Sequence, residues 1–192
     1  MLDEIRRRLA AYEPRQAAVG ERPQAAVLLP LYAQRGELHV VLTKRTEAVK
    51  SHKGEISFPG GSLEAVDRDL VATALRESDE EIGLRPADVE VIGRLDDMVM
   101  VSRFHVTAYV GMIAAAAPYA WQPQVAEVAA VIEVPLCHLL DPANRTRVPR
   151  QREGEVVYLD AFRYGEHLIW GATARILRNF IEVALTPAVA EA

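Results

Sequence analysis

Leu2, Ile5, Leu9 and Tyr12 recur at helical spacing, which predicts a short amphipathic helix at the start of the chain. A polar connector follows from Pro14 to Pro23. Ala25 to Tyr32 reads as a strand, and Pro30 within it predicts an edge position or a bulge, because proline cannot donate to a ladder. Gln34-Arg35-Gly36 is a turn signal, and Leu38 to Thr43 is the return strand of a hairpin. Ile56 to Phe58 is a short extended piece leading into Pro59-Gly60-Gly61.

The strongest helical pattern runs from Asp69 to Ile82, with Leu70, Ala74 and Leu75 on its apolar side. Asp67 is placed to cap its N-terminus, and Gly83 to take the left-handed position that stops it. Val89 to Leu95, His105 to Ile113 and Ala126 to Val134 read as strands. The longest apolar run, Val106 to Ala117, is too short to span a bilayer and fits a buried strand entering a loop. Pro135 opens a short helix through Leu140 that Asp141-Pro142 ends. Val156 to Tyr164 and Leu168 to Trp170 flank a Tyr-Gly-Glu turn, and Gly171 to Leu185 is a closing helix. This order predicts an α/β (α+β) chain with a mixed β-sheet sandwiched between helices.

A chain of 192 residues suits one domain with short extensions. We divide it into an N-terminal helix and connector over 1–24, a catalytic domain over 25–185 and a tail over 186–192. A formal net charge of -5 argues against nucleic acid or an anionic membrane as partner. A lone cysteine, Cys137, allows no internal disulfide, which fits a cytoplasmic location. The N-terminus mixes acids with bases and has no apolar core, so it is not a secretory signal.

The chemistry gathers on the strongest helix. Glu77, Glu80 and Glu81 stand at i, i+3 and i+4, so three like charges share one face near a helix C-terminus. That arrangement opposes both the neighbouring charges and the macrodipole. A divalent cation offsets the cost, and carboxylate oxygens suit Mg²⁺ or Mn²⁺. A solvated acidic face is the plainer reading, weighed against Gly60-Gly61 and Arg76 ahead of the cluster and Gly83 behind it. Upstream, Lys44, Arg45, Lys50, His52 and Lys53 surround Gly54, a basic loop suited to phosphate oxygens.

Arg76 to Leu84, "RESDEEIGL", resembles the end of the Nudix box, with Arg76, Glu77, Glu80, Glu81, Gly83 and Leu84 matching. Ser78 stands where the box has a bulky apolar residue. Arg68 and Ser62 stand where it has its early Glu and Gly, so the loop is one residue longer, and Glu64 or Asp67 takes the place of the early Glu. Val41 to Gly61, "VLTKRTEAVKSHKGEISFPGG", resembles the motif of the coenzyme A pyrophosphatase branch, with Leu42, Thr43, Arg45, Gly54, Phe58, Pro59, Gly60 and Gly61 matching. Val41, Thr46 and Lys50 depart from it, the last losing the bidentate fork of an arginine. "VPLCHLLDP" and "IWGATARIL" resemble C-terminal segments of that branch, and the longer loop is also one of its features.

The resemblance implies a Nudix fold and hydrolysis of coenzyme A, or a derivative, to 3′-phosphoadenosine 5′-phosphate and 4′-phosphopantetheine. It implies Glu77 and Glu81 as metal ligands, with Glu80 and the Gly61 carbonyl as further ones. Glu80 is the expected general base, with Glu64 and Glu127 as alternatives, and Arg76 is expected to orient the glutamates. Arg45, Lys50, His52, Lys53 and Gly54 are expected to bind substrate. Cleavage of ADP-ribose or NADH is a second reading, and a non-catalytic nucleotide sensor a third; the intact trio of glutamates disfavours the sensor. Both a monomer and a homodimer are compatible with the sequence. Cys137, in the apolar short helix, is expected to be buried in the core and His105 to be structural, and Trp121 and Trp170 to serve packing, with Trp121 also a candidate for stacking on adenine.

Overall fold

The computed structural model describes residues 1–48, 53–100, 104–152 and 154–186. Lys50 and His52, and the tail beyond residue 186, lie outside the described residues. Helix α1 is Leu2–Ala11. The strands are β1 Gln24–Gln34, β2 Glu37–Arg45, β3 Ile56–Ser57, β4 Gly60–Ser62, β5 Val89–Arg94, β6 Met98–Val99, β7 His105–Ile113 and β8 Val128–Pro135. Helix α2, Leu70–Ile82, falls between β4 and β5, and α3, Leu136–Leu140, follows β8. Strands β9 Arg145–Arg152, β10 Glu155–Tyr164 and β11 His167–Ile169 precede α4, Gly171–Ala184.

Among the described residues, β1 to β8 form one mixed sheet in which β3, β2, β1, β7 and β5 are neighbours in that order, with β4 on β1, β6 on β7 and β8 on β2. The β1–β7 pair is parallel and the rest antiparallel. Side chains of β2 alternate between two cores. Val40 and Leu42 join a cluster with Ile5, Leu9, Leu177 and Phe180, which seats α1 and α4 on one face. Val41 joins Ala26, Leu28, Ala74 and Ile82 on the other, against α2. Helices therefore cover both faces, as the pattern predicts. Strands β9, β10 and β11 make a separate antiparallel sheet.

Three expectations need correction. Strand β1 lies inside the sheet, between β7 on one edge and β2 and β4 on the other. Pro30 is tolerated because that second edge changes partner around it: β4 pairs with residues Ala25 to Val27 and β2 with Leu31 to Gln34. Leu28 N donates to the Pro59 carbonyl on this edge, so by alternation the Pro30 nitrogen faces the gap between the two partners. Asp69, not Asp67, caps α2, accepting from Ala72 N at 2.7 Å. Cys137 is exposed, because Leu136 and Leu139 take the buried side of the short α3.

Candidate active site

Gly83 ends α2 with φ 68°, and its N–H reaches the Asp79 carbonyl, as a left-handed cap requires. The helix is anchored through Thr73, Ala74, Ser78 and Ile82. Ser78 occupies a fully buried position where the box has a bulky apolar residue; its hydroxyl donates to the Ala74 carbonyl at 2.6 Å, so no polar group is stranded. The faces left over carry Arg76, Glu77, Glu80 and Glu81.

Arg76 is the hub of this surface. Its Nε and Nη2 donate to the two oxygens of Asp67 at 2.9 and 3.0 Å, a bidentate pair in which Asp67 is almost fully enclosed. Nη1 donates to Glu80 at 2.9 Å, and Nη2 also meets the Ser62 carbonyl at 3.2 Å and Glu77 Oε1 at 3.1 Å. Hydrogen bonding to Arg76 holds the Asp67 carboxyl well below the usual carboxylate range, and the same pair raises the guanidinium. Asp67 also accepts from Glu64 N and Thr73 Oγ1, both at 3.0 Å, which closes the loop ahead of the helix. Of the two replacements expected for the early Glu, Asp67 thus faces Arg76, while Glu64 stays exposed.

Glu81 points the other way. It is 6% exposed, and its Oε2 is buried without a hydrogen-bond partner. Arg45 Nη1 lies 3.9 Å from its Oε1. Burial pushes the Glu81 carboxyl up to about 8; Arg45 pulls it down, Glu77 and Glu127 push it further up, and the Gly60 N–H opposes them. Burial likewise raises Glu77, against the pull of Arg76. Gly61 lies so close to Glu77 that a Cβ there would overlap its carboxylate, which is why the strand opposite the helix carries glycine. Glu127 is brought to the rim by Thr46, whose N and Oγ1 donate to the carbonyls of Glu127 and Ala126 at 2.9 and 3.0 Å. Its carboxylate stands 4.0 Å from Arg45 Nη2.

Among the described residues, no three of these carboxylates close on one point. Arg76 divides them, holding Glu77 and Glu80 while Glu81 turns inward to Arg45. The donor set still fits a divalent cation. An orphaned buried carboxylate oxygen beside a second carboxylate raised by burial lacks positive charge, which hard oxygen ligands would share with a metal.

Other candidates fall elsewhere. His105 is buried, and its Nε2 lies 3.1 Å from Asp97 Oδ2. Trp121 donates from Nε1 to Glu133 at 2.6 Å and packs edge-on to Tyr32, with its indole against Tyr119. Trp170 lies under the Arg150 guanidinium at 3.9 Å. The Asp67–Arg76 pair is nine positions apart and lies off any helical repeat; the single signal for it in the sequence is the acid-rich longer loop.

A mixed sheet between helices, with a glutamate-bearing helix facing a Gly-Gly strand, defines a Nudix-type hydrolase site. The NUDIX domain family model matches residues 22–152, and the chain belongs to the Nudix hydrolase family, whose members generally use divalent metal ions. It is 36% identical over 188 residues to "Uncharacterized Nudix hydrolase NudL" of Enterobacter sp. (strain 638), covering 97% of this chain and 96% of that protein. The NudL of Salmonella paratyphi B is also 36% identical, over 85% of this chain and 84% of its own. Among solved structures, a MutT/nudix family protein from Enterococcus faecalis aligns over 95% of this chain and 68% of that one, with TM-score 0.58 and 14% identity. The Nudix hydrolase RenU from M. smegmatis aligns over 62% and 74%, with TM-score 0.51 and 23% identity. Among the described residues, no helix is long and apolar enough to cross a membrane.

Proposed function

We propose that the protein hydrolyses the diphosphate of coenzyme A or its derivatives, releasing 3′-phosphoadenosine 5′-phosphate and 4′-phosphopantetheine. The observation that carries this reading is the position of Arg45. It is the arginine of the upstream motif, and it stands against both Glu81 and Glu127, beside the acidic helix. The Phe58-Pro59-Gly60-Gly61 end of the same motif lies across α2, with Gly61 at Glu77. A substrate diphosphate drawn to Arg45 is therefore delivered to the carboxylates.

Glu77 and Glu81 are the assigned metal ligands, with Glu80 and the Gly61 carbonyl completing the set, and Mg²⁺ or Mn²⁺ the ion. When bound, the cation supplies neutralisation of the diphosphate and acidifies water. Arg76, locked by Asp67, positions Glu77 and Glu80. Glu80, on the exposed side, takes the proton of the attacking water as its oxygen bonds to phosphorus and the bridging P–O bond breaks. Glu127 and Glu64 are the alternative bases. Arg45, Lys53 and Gly54, with Lys50 and His52, bind the phosphates. The protein works in the cytoplasm on a small-molecule substrate.

Incubating the protein with coenzyme A, ADP-ribose and NADH separately, with Mg²⁺ or Mn²⁺, and weighing the products tests this. Release of 4′-phosphopantetheine, reduced at least about 100-fold by Glu81→Gln, is expected. Cleavage of ADP-ribose or NADH alone would overturn the substrate assignment, and tight nucleotide binding with no cleavage would favour a sensor.

A further inference from the structure

On β2, Arg45 faces α2, and the residue before it, Lys44, faces the opposite side of the sheet. There Lys44 lines a cavity of about 390 Å³ together with Lys53, Arg150, His167 and Trp170. Two carboxylates, Glu55 and Glu166, also line it, so cations outnumber acids three to two before His167 is considered. Most arginines of the fold are spent on carboxylates: Arg6, Arg76, Arg94, Arg147 and Arg178 all have ion pairs. Among the described residues, Lys44, Lys53 and Arg150 have none. Arg150 is nonetheless held in place. Its guanidinium lies 3.9 Å above the Trp170 ring, and Nη1 donates to the Pro149 carbonyl at 3.0 Å. A guanidinium held over a ring face keeps its remaining N–H groups for a planar oxyanion.

One segment of chain links the cavity to the acidic helix. Glu55 and Ile56 line the cavity, and the same segment reaches Gly60 and Gly61 at the carboxylates. Four residue steps of chain lead from Ile56 to Gly60, at most about 14 Å. We propose that this cavity is a subsite for a second anionic group of the substrate, a phosphate monoester carried apart from the scissile diphosphate, with Lys44 and Arg150 as its recognition residues. The inference rests on the coenzyme A reading, because that substrate carries a 3′-phosphate on the ribose in addition to its diphosphate. It assigns selectivity for the phosphorylated nucleotide to β2 and the β9–β11 sheet, not to the acidic helix.

The test is calorimetric titration of adenosine 3′,5′-bisphosphate and of adenosine 5′-monophosphate into the full chain, with KM values for coenzyme A and 3′-dephospho-coenzyme A alongside. The bisphosphate is expected to bind about tenfold tighter or more. The double variant Lys44→Ala with Arg150→Ala should abolish that advantage and raise KM for coenzyme A to the dephospho value, with kcat unchanged. Lys44→Ala alone, which keeps the Arg150–Trp170 contact, should give a partial loss and guards against a folding defect. Equal binding of the two nucleotides by the wild type, or a preference that survives the Lys44→Ala, Arg150→Ala double variant, would overturn the subsite. If the wild type cleaves neither coenzyme yet prefers the bisphosphate, the subsite stands and the coenzyme A reading fails. If it cleaves both coenzymes with equal KM and shows no bisphosphate preference, the reading stands and the subsite fails.

Discussion

Among the described residues, Glu81 carries the sharpest electrostatic cost. Its carboxyl is raised from an ordinary value near 4.5 to about 8 by burial, so between these values the native state holds a proton that the unfolded chain releases. Stability from this group is therefore complete below pH 4.5 and is lost as pH rises through about 8, a contribution of a few kcal/mol at most. Metal-free protein should melt at progressively lower temperature from pH 5 to pH 8, and Mg²⁺ or Mn²⁺ should restore the melting point most at the alkaline end. Glu81→Gln should flatten the pH profile and remove the response to metal; a melting curve identical to wild type across this range would refute the assignment. Asp67 carries the opposite sign. Its depressed carboxyl stabilises the fold above its ordinary range, and that stability is lost on acidification. Asp67→Asn leaves the Arg76 guanidinium without its buried partner, and should cost about 3–5 kcal/mol in urea denaturation together with most of the activity. The three glutamates were legible as a helical repeat. Their division between Arg76 and Arg45 was not, because spacing reports a shared helix face and says nothing of the loop or strand that meets it.

Elements with a strong local pattern came through from sequence to fold. Helix α2 and its glycine stop, the β1–β2 hairpin, β7 and the closing helix all lie where periodicity and turn residues place them. Strand β9 did not, because "RTRVPRQR" is polar, lacks alternation and contains Pro149. It becomes a strand by pairing with β10, from Arg145 opposite Phe162 to Arg152 opposite Glu155. Strands β4 and β6 are only three and two residues long, too short for any period to register, and they exist by pairing with β1 and β7. The misplaced cap has a similar origin: Asp67 and Asp69 both suit a helix start, and the choice was settled by Arg76, which claims Asp67. The sharpest test at this scale is the stop of α2. Gly83 has φ 68°, and a Cβ there would lie 2.8 Å from Gln122 Cβ. Gly83→Ala should lower stability by about 1 kcal/mol or more through backbone strain alone. Unchanged urea midpoints would show that the left-handed position at residue 83 carries no strain for alanine.

The whole molecule extends past the segment that the family model matches. Residues 22–152 exclude α1, most of the β9–β11 sheet and α4. Yet Ile5, Leu9, Phe162, Ile169, Leu177 and Phe180 share one buried cluster with Leu29, Leu31 and Leu42 of the central strands. The connector after α1 is tied down as well: Tyr12 and Arg15 N donate to Asp96 at 2.6 and 2.8 Å, and Ala17 N to Asp97 at 3.2 Å. Asp97 in turn accepts from Arg94 and Thr107 at 2.6 and 2.9 Å. The N-terminal helix is therefore a wall of the core. Losing one buried aliphatic side chain costs about 2–5 kcal/mol, against a total stability of about 5–15 kcal/mol for a typical domain. Removing residues 1–12 takes away both Ile5 and Leu9, and should leave a chain that still folds but unfolds at clearly lower urea. A chain cut to 22–152 loses the α4 side of the core entirely, and should show no cooperative transition and bind a hydrophobic dye such as ANS. It should also lose any preference for adenosine 3′,5′-bisphosphate, since Trp170 and His167 go with the deleted segment. Cooperative melting of the 22–152 fragment would show instead that the sheet and α2 suffice as a folding unit, and that α1 and α4 are additions to it.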